Sequence, residues 1–282
     1  MQVLTSESEL NSLLDEHRFP PHTTGFVPTM GALHEGHLSL VRKSLSENTI
    51  TVCSIFVNPT QFNDPEDFNK YPRQRESDIE KLRSTGCQVL FCPEHKTIYP
   101  QEDHNKYNLG PVADKLEGSS RPGHFNGVAS VVKRLLEIVN PTRAYFGLKD
   151  YQQFLVVHSL VKQYSIPVEI IGCETVRDKG GLAMSSRNER LSSYEKELAT
   201  HLYKALKSAK DAVNQGRDSG LETLGQEYFN GLAEPELEYF KVADARTLAP
   251  IGDKKIGNDD SAIALIAAHV GGVRLIDNMP LN

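Results

Sequence analysis

Two histidines three residues apart, His34 and His37, lie in the stretch FVPTMGALHEGHLSLV, residues 26–41, where an apolar run meets a helical pattern. A strand that turns sharply into a helix leaves unpaired backbone N–H groups and the positive end of the helix dipole at the turn, which is a ready anion site. Imidazoles at such spacing share one face and can both meet a phosphate chain held there. Metal binding is the rival chemistry, but H-E-x-x-H spacing is absent and no Cys or Asp cluster stands beside the pair. A structurally satisfied pair is the other alternative, since buried imidazoles ordinarily have partners. Alone, the stretch points to nucleotide binding and no further.

Three downstream groups add weight. Met184-Ser185-Ser186-Arg187 lies in GGLAMSSRNERLS, where two hydroxyls can bond phosphate oxygens and Arg187 can make a bidentate contact. Gly180 and Gly181 before it permit loop movement. A helix cap with a surface arginine is the plainer reading. Gly147-Leu148-Lys149-Asp150 follows a strand and opens a helix, so Lys149 can reach a phosphate as a point charge while Asp150 caps. A surface lysine is its alternative. Gln61 and Gln153 are neutral donor–acceptor groups on strand-following segments, suited to hydroxyl and carboxylate oxygens. Arg121-Pro122-Gly123-His124 ends a long excursion of low pattern content, residues 93–120, and can cover the site.

The elements that must position these groups follow from periodicity. Helical spacing predicts helices over 6–18, 37–45, 75–85 (ended by Gly86), 125–139, 151–164 and 194–214, the last behind a Ser192/Glu195 capping box. Strands are expected over 25–28, 49–57, 89–92, 144–147 and 168–172. TITVCSIFV is β-branched and uninterrupted, which marks a strand buried on both faces of a parallel sheet. Alternating strands and helices indicate a doubly wound, Rossmann-like α/β domain over 1–177, whose ligands lie outside the carboxyl ends of the strands. After Arg177 the composition changes. Strand candidates at 238–242, 261–270 and 273–276, the last two joined at Gly271-Gly272, predict a smaller α+β domain with an antiparallel sheet over 178–282.

Composition narrows the partners. The 282 residues carry a formal net charge of −6, with 39% hydrophobic and 24% charged residues. A basic surplus that would offset phosphate repulsion is lacking, which argues against a nucleic-acid partner. No stretch approaches the roughly 20 apolar residues that span a bilayer, and the polar, acidic N-terminus does not resemble a signal peptide. A cytoplasmic protein is expected. Cys53, Cys87, Cys92 and Cys173 match no zinc or redox spacing and are expected to be buried, reduced thiols.

PTMGALHEGH resembles the HIGH-type motif of nucleotidylyltransferases and class I aminoacyl-tRNA synthetases, and AMSSRN resembles their KMSKS-type motif. With SIFVNPTQF, YPRQ, RPGHFNGV, FGLKDYQQ and a closing RLIDN in order, the whole chain resembles the pantothenate synthetases, the pantoate–β-alanine ligase family. That resemblance implies ATP-dependent amide formation through a pantoyl adenylate, with magnesium accompanying the triphosphate. It implies an ATP site of Met30, Gly31, Ala32, Leu33, His34, Glu35, Gly36 and His37, completed by Gly147, Leu148, Lys149, Asp150, Val176, Met184, Ser185, Ser186 and Arg187. His37 would be the proton donor to departing pyrophosphate, and His34, Lys149 and Arg187 would share the catalytic work. Gln61 and Gln153 would hold pantoate, Gln61 also β-alanine, with Asn58, Arg121 and His124 as further substrate contacts and Asp78 helping magnesium. A homodimer through the large domain is implied as well, for which the SIFVNP strand offers a candidate edge.

Two departures stand out. Leu148 replaces a glutamate common in the family, and Gly180 a common aspartate, so that Gly180-Gly181 should loosen a junction on which the smaller domain would act as a lid. The rival enzyme reading is a nucleotidylyltransferase acting on a phosphate ester, which would call for more cationic residues where the neutral glutamines stand. A non-catalytic nucleotide-binding protein is the rival from another class; it need not keep His34, His37, Lys149 and Arg187 together.

Overall fold

The computed structural model describes residues 1–15, 21–101, 103, 105–257 and 261–282. It divides into two compact units, Met1–Leu148 with Gln152–Glu174, and Lys149–Tyr151 with Thr175–Asn282. In the first unit, six strands among the described residues form one parallel sheet: β1 (Gln2–Leu4), β2 (Thr24–Thr29), β3 (Ile50–Ile55), β4 (Val89–Phe91), β5 (Arg143–Gly147) and β6 (Glu169–Cys173). Their order is β1-β4-β3-β2-β5-β6, so the winding reverses between β2 and β5. The carboxyl ends of those two strands carry Met30 and Leu148, at the place where doubly wound sheets bind ligands.

The uninterrupted apolar runs are explained by helices on both faces. The helices of this unit are α1 (Glu7–Leu14), α2 (Glu35–Glu47), α3 (Pro65–Lys70), α4 (Arg75–Thr85), α5 (His95–Ile98), α6 (Glu117–Ser120), α7 (His124–Val139) and α8 (Tyr151–Gln163). Phe26, Val52, Phe91, Ala144 and Phe146 pack with α1, α7 and α8 on one side. Val27, Cys53, Leu90 and Tyr145 alternate with them and pack with α2 and α4 on the other. Burial pushes the thiols of Cys87 and Cys173 up to about 11, so neither is a nucleophile at neutral pH.

Several expectations change. The helix expected over 6–18 is described only as α1, and residues 16–18 lie outside the described residues. The SIFVNP strand is no edge: β3 pairs with β2 on one side and β4 on the other, and the sheet edges are β1 and β6. The excursion after β4 is organised by a side chain from α8. Gln152 donates to the carbonyls of Val112 and Lys115 at 2.7 Å each and accepts from the Glu117 N–H at 3.1 Å. Loop pairing of this kind leaves no periodic signal.

In the second unit, α9 (Ser193–Asn214) starts at the expected Ser192/Glu195 capping box and packs with α10 (Leu221–Glu227), a helix the sequence pattern did not predict. Behind them, β7 (Glu236–Asp244), β8 (Ala262–Val270) and β9 (Val273–Pro280) form an antiparallel sheet with β8 central. Gly271 and Gly272 turn the β8–β9 hairpin with φ of 53° and 74°, the left-handed pair a tight hairpin requires. Lys149–Tyr151 belongs to this unit because the Tyr151 hydroxyl donates to the Ala245 carbonyl at 3.0 Å and Asn278 Nδ2 donates to the Lys149 carbonyl at 2.8 Å. The expected division after residue 177 therefore falls inside this unit.

Close packing between α10 and β7 depends on Gly225, where a Cβ would overlap the ring of Phe240. Gly225→Ala is expected to destabilise the protein by about 1–3 kcal/mol, as overpacked cores do. A urea titration should show a lowered midpoint at unchanged slope, and an unchanged midpoint would contradict the packing described.

Candidate active site

After β2 the chain makes a turn that ordinary residues resist. Gly31 and Ala32 both have positive φ, 82° and 49°, and a left-handed alanine costs roughly 1–2 kcal/mol. Asp78, in the first turn of α4, offsets that cost. Its carboxylate accepts the Ala32 N–H at 2.8 Å and the Leu33 N–H at 2.7 Å, and its residue is only 1% exposed. One helical turn on, Lys81 Nζ donates to the Leu33 carbonyl at 2.7 Å. Thr29 bridges the strand end, donating to the Ser54 carbonyl at 2.7 Å and accepting from the Gly31 N–H at 3.2 Å.

That turn delivers His34 as the N-cap of α2 and His37 in its first turn. The two rings stack with centroids 4.0 Å apart and planes 28° apart. The His34 N–H donates to His37 Nδ1 at 3.4 Å, which places the hydrogen of a neutral His37 ring on Nε2. Both half-buried imidazoles thus sit at a helix N-terminus, where a phosphate is favoured. Among the described residues, no group of three or more His, Cys, Asp or Glu could hold a metal ion.

A second constellation converges on Gln61, at the end of a short 3-10 turn (Pro59–Gln61) after β3. The backbone carbonyl of Gln61 accepts from His124 Nδ1 at 2.8 Å and Arg121 Nη2 at 3.2 Å, and Arg121 Nη1 lies 3.2 Å from His124 Nε2. Arginine only donates and a carbonyl only accepts, so His124 is neutral, with its hydrogen on Nδ1. The Gln61 side chain accepts from Asn58 Nδ2 at 3.3 Å and approaches Met30 Sδ at 2.9 Å, which joins this constellation to the His34 turn. Asn58, 1% exposed, accepts the Tyr99 hydroxyl at 3.0 Å, and burial keeps that phenol protonated by raising its pKa. Gln153 stands half-buried on the first turn of α8.

The remaining predicted residues belong to the second unit, with Gly147 and Leu148 left in the first. Lys149 Nζ lies 3.3 Å from Asp150 Oδ1, so Asp150 is an ion-pair partner. Met184 donates its N–H to the Val176 carbonyl at 2.9 Å, joining two of the predicted positions in one hairpin. Ser185 caps a short 3-10 segment (Ser186–Arg190) by accepting the Arg187 N–H at 3.3 Å.

Residues 2–280 match the family model described as pantoate-beta-alanine ligase. The chain is 47% identical over 282 residues to the pantothenate synthetase of Cytophaga hutchinsonii, covering 99% of each chain. The crystal structure of pantothenate synthetase from Thermus thermophilus aligns with a TM-score of 0.91 at 40% identity, over 100% of this chain and 99% of that one. The pantoate-beta-alanine ligase of Francisella tularensis, complexed with beta-gamma ATP and beta-alanine, aligns with a TM-score of 0.78 at 37% identity, over 100% and 98%. The chain belongs to the pantoate–β-alanine ligase family. It is an ATP-dependent ligase that condenses pantoate with β-alanine to pantothenate through an adenylate intermediate.

Within this ligase two expectations need correction. Asp78 was expected to help magnesium, but both its oxygens hold backbone amides in a buried setting, so it shapes the turn instead. The Gly180-Gly181 segment is not loose: Asp178 Oδ1 accepts the N–H groups of Gly180 at 2.8 Å and Leu182 at 2.9 Å, and Gly181 abuts the Tyr203 ring. Leu148, in place of the family's glutamate, lies against Gly172 of β6. Lys81 and Tyr99 were not anticipated. Each acts through a bond to a distant stretch, and only the neighbouring YPRQ run on the way into α4 hinted at one of them.

Asp78→Asn exchanges a two-fold acceptor for a group with one acceptor and one donor facing an N–H. It is expected to cost about 1.5–3 kcal/mol in stability and to depress ATP-dependent activity at every magnesium concentration. Activity restored by added magnesium, at unaltered stability, would return Asp78 to the metal.

Proposed function

We propose that the turn after β2 binds the ATP phosphates, and that the observation carrying this assignment is the Asp78-held Gly31–Ala32–Leu33 backbone opening α2 beneath the stacked His34 and His37. Met30, Glu35 and Gly36 complete that stretch. Gly147, Leu148, Lys149 and Asp150 form the second ATP-binding segment, and Met184, Ser185, Ser186 and Arg187 the third. The Val176 N–H contacts the adenine, its carbonyl being engaged by Met184. Gln61 and Gln153 hold pantoate, and Gln61 also meets β-alanine. Asn58, Arg121 and His124 are further substrate contacts, each bonded also to Gln61.

The reaction then needs positioning and positive charge more than covalent assistance from the protein. A pantoate carboxylate oxygen bonds to the α-phosphorus as the bond to the bridging β-phosphate oxygen breaks, and pyrophosphate departs. His37, taken up as the imidazolium beside the triphosphate, gives one proton to that leaving group and returns to the neutral ring, while His34, Lys149 and Arg187 stabilise charge developing on the phosphates. The amine of β-alanine, its ammonium proton released to water, next attacks the acyl carbon; AMP departs with the electrons of the acyl–oxygen bond and takes the N–H proton lost as the amide forms.

The described side chains do not fit a magnesium ion held by the protein alone: Asp78 is committed, and no acidic cluster replaces it. We assign magnesium to the triphosphate with which it enters, as suits a cation that keeps water and phosphate ligands, and no step here is routed through it. A homodimer and a cytoplasmic location complete the proposal, supported by the family and by four unpaired cysteines, which suit a reducing compartment.

Incubation with ATP, pantoate and β-alanine should yield AMP in an amount that tracks pantothenate and requires both co-substrates. AMP without the amide, or ADP, would overturn the reaction sequence. His37→Ala and Lys149→Ala should each slow adenylate formation on the order of 10²–10³-fold while leaving folding intact; wild-type rates in either folded variant remove that residue from the mechanism. Sedimentation equilibrium should give twice the chain mass, and a monomer at all concentrations would remove the dimer.

A further inference from the structure

Near the end of the chain stands the run Arg274-Leu275-Ile276-Asp277-Asn278. It lies in β9, and its last two side chains break an otherwise apolar setting: Asp277 is 5% exposed and Asn278 6%. Buried carboxylates and amides are costly without partners, and these two have specific ones. Asp277 forms a two-pronged pair with the Arg177 guanidinium, at 2.5 Å and 2.9 Å. Arg177 also donates to the Gly181 carbonyl at 3.1 Å and stacks over the Tyr203 ring at 4.5 Å. Its backbone lies in the hairpin arm between Val176 and Met184, in bridge pairing with Ala183. The next residue, Asn278, donates its Nδ2 hydrogen to the Lys149 carbonyl at 2.8 Å.

We propose that Asp277 and Asn278 are positioning residues for the ATP-binding groups of the second unit, Asn278 setting the backbone from which Lys149 extends and Asp277, through Arg177, setting the Val176–Met184 hairpin. The inference rests on the assignment of Lys149 and Val176 to ATP made above. Two consecutive strand residues normally face opposite sides of a sheet. Here one step of β9 serves two separate segments, because Asp277 reaches the hairpin and Asn278 reaches the carbonyl of Lys149. A lysine has a long, flexible stem, so the place of its backbone decides where its charge spends its time. A displacement of about 1 Å is enough to cost on the order of 10²-fold in rate when geometry carries catalysis.

A double-mutant cycle separates positioning from a general loss of structure. Asn278→Ala is expected to lower kcat/KM for ATP roughly 10–10²-fold, with KM for pantoate changed less than about two-fold. In a Lys149→Ala background the same change should have little further effect, within about two-fold, because the group it positions is gone. An equal effect of Asn278→Ala in both backgrounds, or none in the wild-type background, overturns the inference while leaving the ATP assignment of Lys149 standing. Wild-type ATP kinetics in Lys149→Ala overturn that assignment, and this inference with it. Should Asn278→Ala not fold, Asn278→Ser retains a donor and carries the same cycle: a smaller, non-additive loss supports the role, and an additive loss or none refutes it. Arg177→Lys keeps the buried charge but not the fork to Asp277 and should raise KM for ATP several-fold; an unchanged KM for ATP removes the Asp277 half.

Discussion

Between β2 and α2 the backbone passes through two left-handed residues, and a buried carboxylate holds it there. Asp78 accepts the amides of both Ala32 and Leu33, and bonds of this type to a charged group contribute about 1.5–3 kcal/mol each. That exceeds the roughly 1–2 kcal/mol lost by a left-handed alanine. The dependence runs both ways, since the carboxylate would be costly in its own surroundings without those N–H groups. As α4 packs beside α2, the placement of one helix sets the loop that begins the next. The stacked imidazoles at the head of α2 inherit their position from this contact.

The same device recurs at each constellation. Gln61 is gripped at its carbonyl by Arg121 and His124 and at its side chain by Asn58, which is itself held by Tyr99. The Val176–Met184 hairpin is tied by Arg177 to Asp277, and Lys149 by its carbonyl to Asn278. In each case a polar side chain from a distant element bonds the backbone or the flank of a residue assigned above by proposal to a substrate. Phosphoryl and acyl transfer by positioning and charge need such groups fixed before the reaction begins, so that little reorganisation accompanies the charge that develops. The cores on either side of the parallel sheet make that fixing possible, because close-packed interiors do not deform gradually.

The departures from the family pattern illustrate how context overrides residue type. Leu148, where a carboxylate is common, lies against Gly172. Gly180 and Gly181 have the composition of a loose hinge, but Asp178 and Tyr203 hold them. Glycine widens the conformations a segment can visit, and neighbouring hydrogen bonds then decide how many remain.

Local pattern by itself determined much of this protein. Period and uninterrupted β-branched runs marked the parallel sheet, Gly86 and the Ser192/Glu195 box marked helix ends, and PTMGALHEGH with MSSRN marked the nucleotide chemistry, because these signals are written in neighbouring residues. What tertiary structure alone decided involves partners far apart in the chain. Asp78 read as a candidate metal ligand because a carboxylate near a phosphate site is ambiguous until its partners are seen. Asn58, Arg121 and His124 read as substrate contacts, and only the tertiary structure shows that each also bonds Gln61. SIFVNP read as an edge because a pattern buried on both faces says nothing of strand neighbours, and strand order alone supplied β2 and β4. Lys81, Tyr99, Asp277 and Asn278 act across separations that no periodicity encodes: a hydrogen bond between remote segments is specified by the packing of the whole unit, and the residues at its two ends carry no mark of one another.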